Sequence, residues 1–433
     1  LLIAGSEAGM VPADEMTVVE KGALGPGQMI GVDMATGTLY HDSELKDLLA
    51  ASSPFDQWVG SITDIEDLAK VEEEAPVFTG GDLRRRQVAA GYTVEELEVI
   101  VHAMAEDGKE AIGSMGDDTP PAVLSDKYRP LSHYFRQNFS QVTNPPIDSL
   151  REHRVMSLKT RFGNLKNVLD QDNSQTQILQ LETPFVSNAQ FAAMKTGFGD
   201  SVGEIDCTFP AGAEHGLAEG LARIRAEAEE AVRAGANHVV LSDMGQGPGR
   251  VAMPMILATS AVHSWLTRKG LRTFTSLNVR AAECIDPHYF AVLIGCGATT
   301  VNAYLAEDSI ADRISRGLIE SSLDEAVERY REAIGQGLLK IMAKMGISVI
   351  SSYRGGLNFE AIGLSRALVA EYFPGMNSRI SGIGVIGIQR QVEKAHARGF
   401  GNADSVLPIG GFYKARRSGE THAWEAQAMH MLQ

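Results

Sequence analysis

Cysteine is scarce: Cys207, Cys284 and Cys296 are the only three in 433 residues. So few thiols exclude a disulfide framework and fit a reducing cytoplasm. They stand too far apart for a CxxC-type metal or cluster site and read as buried free thiols. None of the 11 histidines falls in an HExxH or HxH arrangement, so no dedicated metal site is indicated. A Walker A lysine motif, a GxSxG elbow and the kinase signatures are all missing. No apolar run approaches the span of a bilayer. Positive charge is in deficit, with a formal net charge of −16, which argues against nucleic acid or an anionic membrane as the main partner. The first residues, LLIAGSEAGM, lack the basic region and long apolar core of a signal peptide. They read as a strand followed by a turn, as though the chain started inside a folded domain.

What is present is ordinary globular composition, 44% apolar and 22% charged, in a chain long enough for two or three domains. Residues 1–50 alternate short apolar runs with Gly and Pro; QMIGVDM and GTLYHD predict a hairpin joined near Ala35 to Gly37. An acidic connector follows over Ser52 to Glu74. From Gly91 the pattern turns helical: Thr93 and Glu96 form a capping box, Leu97, Ile100, Val101 and Met104 share a face, and Gly108 is a stop. HYFRQNFSQV reads as a second, aromatic-rich helix, and Ser149 with Glu152 opens another beyond the rigid corner of Pro145 and Pro146. Between about 185 and 310, short apolar strands alternate with helices, beginning with Leu217, Leu221, Ile224 and Ala228 on one helix face and HVVLSD as the strand after it. That alternation predicts an α/β fold of βαβ units around a largely parallel sheet. It does not separate an open sheet from a partial barrel. Another amphipathic helix follows Ser321, and Trp424 to Leu432 is a further amphipathic helical run.

Two loops invite a chemical reading. In AIGSMGDDTP, Gly113 and Gly116 flank Met115 and precede two adjacent carboxylates, Asp117 and Asp118. A polar turn capped by one of the aspartates is one account; a loop held against a ligand is the other. GIGVIG, with Gly382, Gly384 and Gly387, matches the GxGxxG of dinucleotide folds. Its context is poor, because MNSRIS makes a weak buried strand. A free-standing dinucleotide-binding module on these glycines is the alternative function.

Three long stretches, GYTVEELEVIVHAMAEDGKEAIGSMGDDTP, LSHYFRQNFSQVTNPPIDSLREHRVMSLKT and GLLKIMAKMGISVISSYRGGLNFEAIGLS, resemble the large subunit of glutamate synthase in the same order. PGQMIGVDMATGTLYHDSELK is similar to the last part of that family's glutamine amidotransferase domain, and GFYKARRSGETHAWEAQAMHMLQ to the entrance of its flavin-binding synthase domain. The resemblance implies a short β-rich end of an amidotransferase domain over 1–58, a central domain over 59–395 and the start of an FMN-binding domain over 396–433. In that family glutamine is hydrolysed, ammonia passes through a tunnel, and 2-oxoglutarate is aminated and reduced over FMN. The whole enzyme carries a 3Fe-4S cluster, receives electrons from an NAD(P)H-oxidising, FAD-containing small subunit or from ferredoxin, and is expected to be an oligomer. Position 1 is Leu1 where the family's nucleophile is an N-terminal cysteine, and the cluster's closely spaced cysteines are missing. The expectation is therefore a segment without turnover, holding no cofactor and no catalytic residue of its own. By similarity, Ser114, Met115, Gly116 and Asp117 wall the synthase site, with Asp117 orienting neighbouring groups, while Thr143 and Asn144 line the ammonia path.

Overall fold

The computed structural model describes the chain apart from residues 8, 66–76, 112–116, 139–147, 149, 171, 199–200 and 402–404, and without the side chains of 153, 196–197, 426 and 428. Ser114, Met115, Gly116, Thr143 and Asn144 lie outside the described residues; Asp117 lies within them. The chain divides into two compact units, Leu1–Ser61 and Ile62–Gln433.

In the first unit the expected hairpin is present, with Gly31–Asp33 antiparallel to Thr38–Tyr40 and Val32 opposite Leu39. Asp33 makes the turn: its carboxylate accepts the backbone N–H of Ala35 at 2.8 Å, and Gly37 takes a φ of +71°. Helices Asp42–Ala50 and Phe55–Val59 follow. The opening LLIAGSEAGM forms bends, and no strand among its described residues, because no neighbouring segment supplies a ladder for it.

The second unit is built on four parallel strands in the spatial order Thr300–Asn302, Ser276–Arg280, His238–Ser242, Val202–Asp206. Helices Gly216–Arg233, Met255–Arg268 and Pro287–Gly295 connect them in turn. Strands advance sequentially across the sheet, and Phe185 adds a parallel bridge to Val301 at its outer edge. Among the described residues no pairing closes the sheet. Both inner strands are buried along their whole length, as a sheet covered on both faces demands. Leu217, Leu221, Ile224 and Ala228 are completely buried, and Gly235 leaves the helix at a φ of +100°. The long helix Leu323–Met345 starts at a Ser322–Glu325 capping box and ends at Gly346.

Within the second unit, local readings depart from the structure in four places. Thr93 and Glu96 do form the capping box, and Gly108 the left-handed stop, but Glu96–Val101 winds as a π-helix before Val101 passes into the α-helix His102–Asp107. The described part of HYFRQNFSQV is not α-helical: Leu131–Tyr134 is a 3-10 turn and Phe135–Gln137 a strand antiparallel to Phe359–Ala361, while residues 139–142 lie outside the described residues. Aromatic residues suit a half-buried ladder, and Phe135 packs its ring 5.1 Å from Phe373. Beyond the double proline, Glu152–Val155 is a single helical turn, and Asp148 accepts from the backbone of Leu150 and Arg151 ahead of it. Ser149 is outside the described residues. Finally, a strand does precede GIGVIG: Asn377–Ile383 runs parallel to Phe359–Leu364 and leads into helix Val385–Phe400. It is mostly exposed, which is why its sequence does not look like a buried strand.

Candidate functional site

The parallel strands carry acidic residues at their C-terminal ends, the edge at which open α/β sheets hold ligands. Asp206 ends one strand, Asp243 follows the next, and Glu283 follows Ser276–Arg280. Asp243 accepts from the Ala282 backbone and from the Tyr304 hydroxyl, both at 2.9 Å, and burial lifts its pKa to about 6. Glu283 accepts from the Met255 backbone at 3.1 Å, and burial lifts it to about 8. A narrow cleft lies here, lined by Asp243, Glu283, Gln246 and Tyr128. Burial that favours the neutral Glu283 carboxyl, and an Asp243 that already has two donors, suit groups that organise loops rather than a strong base or nucleophile. The three thiols are fully buried, and burial pushes each thiol pKa up, so none is an activated nucleophile.

A second constellation surrounds the two adjacent aspartates. Asp117 closes a turn on its own loop, accepting from the backbone and hydroxyl of Thr119 at 3.1 and 2.6 Å, with Arg136 at 3.4 Å from its other oxygen. Its carboxyl is held below the usual range, the Thr119 and Arg136 contacts outweighing partial burial. Asp118 bonds outward, to the strap of chain between Gly410 and Trp424. His422 Nδ1 lies 2.8 Å from one carboxylate oxygen, and the Trp424 backbone donates to the other at 3.2 Å. Glu95, only 2% exposed, accepts from three successive backbone N–H groups of the same strap, those of Phe412, Tyr413 and Lys414, at 2.5, 3.1 and 2.9 Å. Arg129 stacks 3.9 Å over the Phe412 ring and pairs with Glu420 at 2.7 Å, both side chains being nearly fully buried. The Ser125 hydroxyl donates to Glu420 at 2.7 Å.

Of the residues that the resemblance assigns to the site, Ser114, Met115, Gly116, Asp117, Thr143 and Asn144, only Asp117 is among the described residues, and it sits beside this strap-holding cluster. Asp118 was singled out only as a turn cap or ligand-loop carboxylate, and Glu95, Arg129, Glu420 and His422 were not anticipated. Glu95 stands next to a legible capping box, but its strap partners lie 317 to 319 residues away, and no local pattern announces such a pairing. Two of the three GIGVIG glycines answer to close packing. A Cβ on Gly382 would fall 2.0 Å from the Gly363 carbonyl oxygen of the neighbouring strand, and one on Gly387 would meet Ile383 at 2.8 Å. Close backbone approach to the neighbouring strand accounts for Gly382 without a ligand, so the dinucleotide reading is not favoured.

A family model described as the glutamate synthase central domain matches residues 85–365, and one described as class-II glutamine amidotransferases matches residues 1–58. The glutamate synthase [NADPH] large chain of Azospirillum brasilense is 61% identical over 438 aligned residues, covering 100% of this chain and 29% of its own length. The corresponding large chain of Bacillus subtilis is 36% identical, covering 100% and 28%, and ferredoxin-dependent glutamate synthase 2 of Synechocystis is 37% identical, covering 97% and 28%. This chain thus spans less than a third of the length of these relatives. With the central-domain match running through the parallel sheet and its helices, the chain belongs to the glutamate synthase family.

Proposed function

We propose that this chain is the connecting region of a glutamate synthase, the enzyme that makes L-glutamate from 2-oxoglutarate and glutamine-derived ammonia. The end-to-end identity to a glutamate synthase large chain carries the reading, since it includes both flanks of the central domain. In this arrangement residues 1–58 close the amidotransferase domain, 59–395 form the central domain, and 396–433 open the synthase domain. Exposed Leu1, Met10, Met16 and Val19 support a first unit that packs on more chain of its own kind. Thr143 and Asn144, stiffened by Pro145 and Pro146, would line the ammonia path. Ser114, Met115, Gly116 and Asp117 would face the synthase site, a role that suits a loop whose neighbour Asp118 grips the strap.

The family implies FMN and a 3Fe-4S cluster. Three separated, buried, high-pKa thiols do not fit a cluster, and among the described residues no group of three or more His, Cys, Asp or Glu could hold a metal. The described part of the Asp117–Asp118 loop is spent on internal and strap contacts and offers no flavin cradle. No step is therefore assigned through either group on this chain; both would belong to other parts of the enzyme. The 61% identity to an NADPH-linked large chain supports an NADPH-oxidising partner subunit over ferredoxin. Among the described residues no helix is long and apolar enough to cross a membrane.

The reading is tested by assaying the full-length polypeptide with its reductant for glutamate formation from glutamine and 2-oxoglutarate, alongside this chain alone. Activity in the former, with neither glutaminase nor synthase turnover in the latter, is expected. Saturable NAD(P) binding to this chain by calorimetry would instead revive the dinucleotide module.

A further inference from the structure

Asp117 and Asp118 stand side by side but bond in different directions. Asp117 folds back on Thr119, whereas Asp118 grips a segment 304 residues further along the chain. Three successive strap residues end on it: His422 and Trp424 on its carboxylate, and Ala423, whose backbone N–H donates to the Asp118 carbonyl at 3.0 Å.

The His422 ring fixes its own protonation state by geometry. Nδ1 lies 2.8 Å from the Asp118 carboxylate and Nε2 lies 2.8 Å from the Gly411 carbonyl oxygen. Both partners can only accept. A neutral imidazole has one N–H, so it would satisfy one partner and turn a lone pair toward the other; the imidazolium donates to both. Gly411 aims its carbonyl from a φ of +86°, and a Cβ there would fall 3.0 Å from the Gly419 Cα, so the acceptor is built into a position that glycine alone suits.

The charged surroundings favour the cation. Asp118 on the loop and Glu95 on the helical segment are the acids that bear on His422. Within the strap, Arg416 and Glu420 lie near in sequence; Glu420 is engaged by Arg129, and Asp117 on the loop side by Arg136. The Gly411 bond first, then Asp118, raises the His422 pKa above its usual 6.5, and the His422 bond holds the Asp118 carboxyl below its usual 3.8.

We propose that Asp118 and doubly protonated His422 are a positioning pair that fixes the Asp117–Thr119 segment to the Gly410–Trp424 strap and thereby sets Asp117 against the synthase site. The joining of loop and strap stands on the geometry alone; the consequence for a synthase site rests on the function proposed above. The sign of its pH dependence follows. The Asp118 contribution is present above its unfolded pKa and lost as pH falls through the lowered folded value. The His422 contribution is complete below its unfolded pKa and lost as pH rises through the raised folded value.

Two experiments test the pair. In this chain, nitrogen-edited NMR should show both His422 ring N–H groups at pH 6, disappearing with a midpoint above 6.5, and Asp118→Asn should move that midpoint down. A single ring N–H at pH 6, or an unmoved midpoint, overturns the pair. In the full-length enzyme, Asp118→Asn should lower the ammonia-dependent synthase kcat roughly tenfold, as a small misplacement of a site wall does, with glutaminase kcat and KM unchanged. The alkaline limb of its synthase pH profile should shift to lower pH, and His422→Gln, which cannot titrate, should abolish that limb. Wild-type kcat and pH profile in both variants, with the NMR pattern intact, reduce the pair to a structural tie and overturn its positioning role. Absence of synthase activity in the wild-type enzyme would instead refute the proposed function, leaving the NMR result standing.

Discussion

The parallel-sheet region and the strap are held by opposite kinds of interaction. Around the sheet, Leu241, Ile256, Leu277, Phe290 and Leu293 are completely buried and pack side chain on side chain. In the strap, among the described residues from 405 to 425, only Gly411 and Glu420 are fully buried. Its attachment is ionic and backbone-directed, through Glu95, Asp118 and the Arg129–Glu420 pair. Apolar burial is non-directional and tolerates many partners, while a carboxylate accepting three backbone N–H groups specifies one path for the chain. The sheet therefore supplies stability and the strap supplies placement.

That contrast can be broken from either side. The largest effect is expected from Phe290→Ala, which removes a fully buried ring stacked 5.7 Å from Phe185 and should cost about 3–5 kcal/mol in urea unfolding. Every part of the second unit should then loosen together. Glu95→Ala should act differently, costing about 1–3 kcal/mol locally by stranding the Phe412, Tyr413 and Lys414 amides. Faster hydrogen exchange at those amides and faster tryptic cleavage at Arg416 and Arg417, with the sheet amides unchanged, is the expected pattern. Cleavage no faster than in the wild type would mean that the strap is not held by its carboxylates.

A third, smaller effect sharpens the comparison through pH. Burial raises Glu283 from 4.5 to about 8, so between those values the folded state binds a proton that the unfolded state has lost. Stability from this group is present at low pH and declines as pH rises through that window, by up to about 1.4 kcal/mol per unit. Glu283→Gln should flatten the decline between pH 5 and pH 8 in denaturant titrations. An unchanged slope would show that Glu283 is ionised in the fold. The Asp118–His422 pair has the opposite dependence on its acidic side, being lost as pH falls.

How far the sequence could be read follows the same division. Helix Gly216–Arg233 and strand His238–Ser242 emerge from periodicity, because each buries a regular set of neighbours within its own element. The tyrosine and phenylalanine of HYF misled, since aromatic residues fill a strand as readily as a helix and only the partner Phe359–Ala361 decides. GIGVIG likewise has the strand–turn–helix context that its exposed edge strand disguised, yet two of its glycines answer to Gly363 and Ile383. Asp118 could be seen to need a partner, but nothing local named His422. The roles proposed for Ser114, Met115, Gly116, Asp117, Thr143 and Asn144 rest on resemblance to glutamate synthases and on no local pattern of their own.

The central claim, that this region joins two reaction sites, is met most directly by three rates from one preparation of the full-length Asn144→Leu enzyme: glutaminase, glutamine-dependent synthase, and synthase from high external ammonia. An apolar side chain in the path, beside two prolines whose φ angles are fixed, should obstruct transfer without touching either site. The account predicts a selective fall in glutamine-dependent synthesis with the other two rates largely preserved. A proportional fall in all three, together with lowered thermal stability, would contradict it and make Asn144 a structural residue.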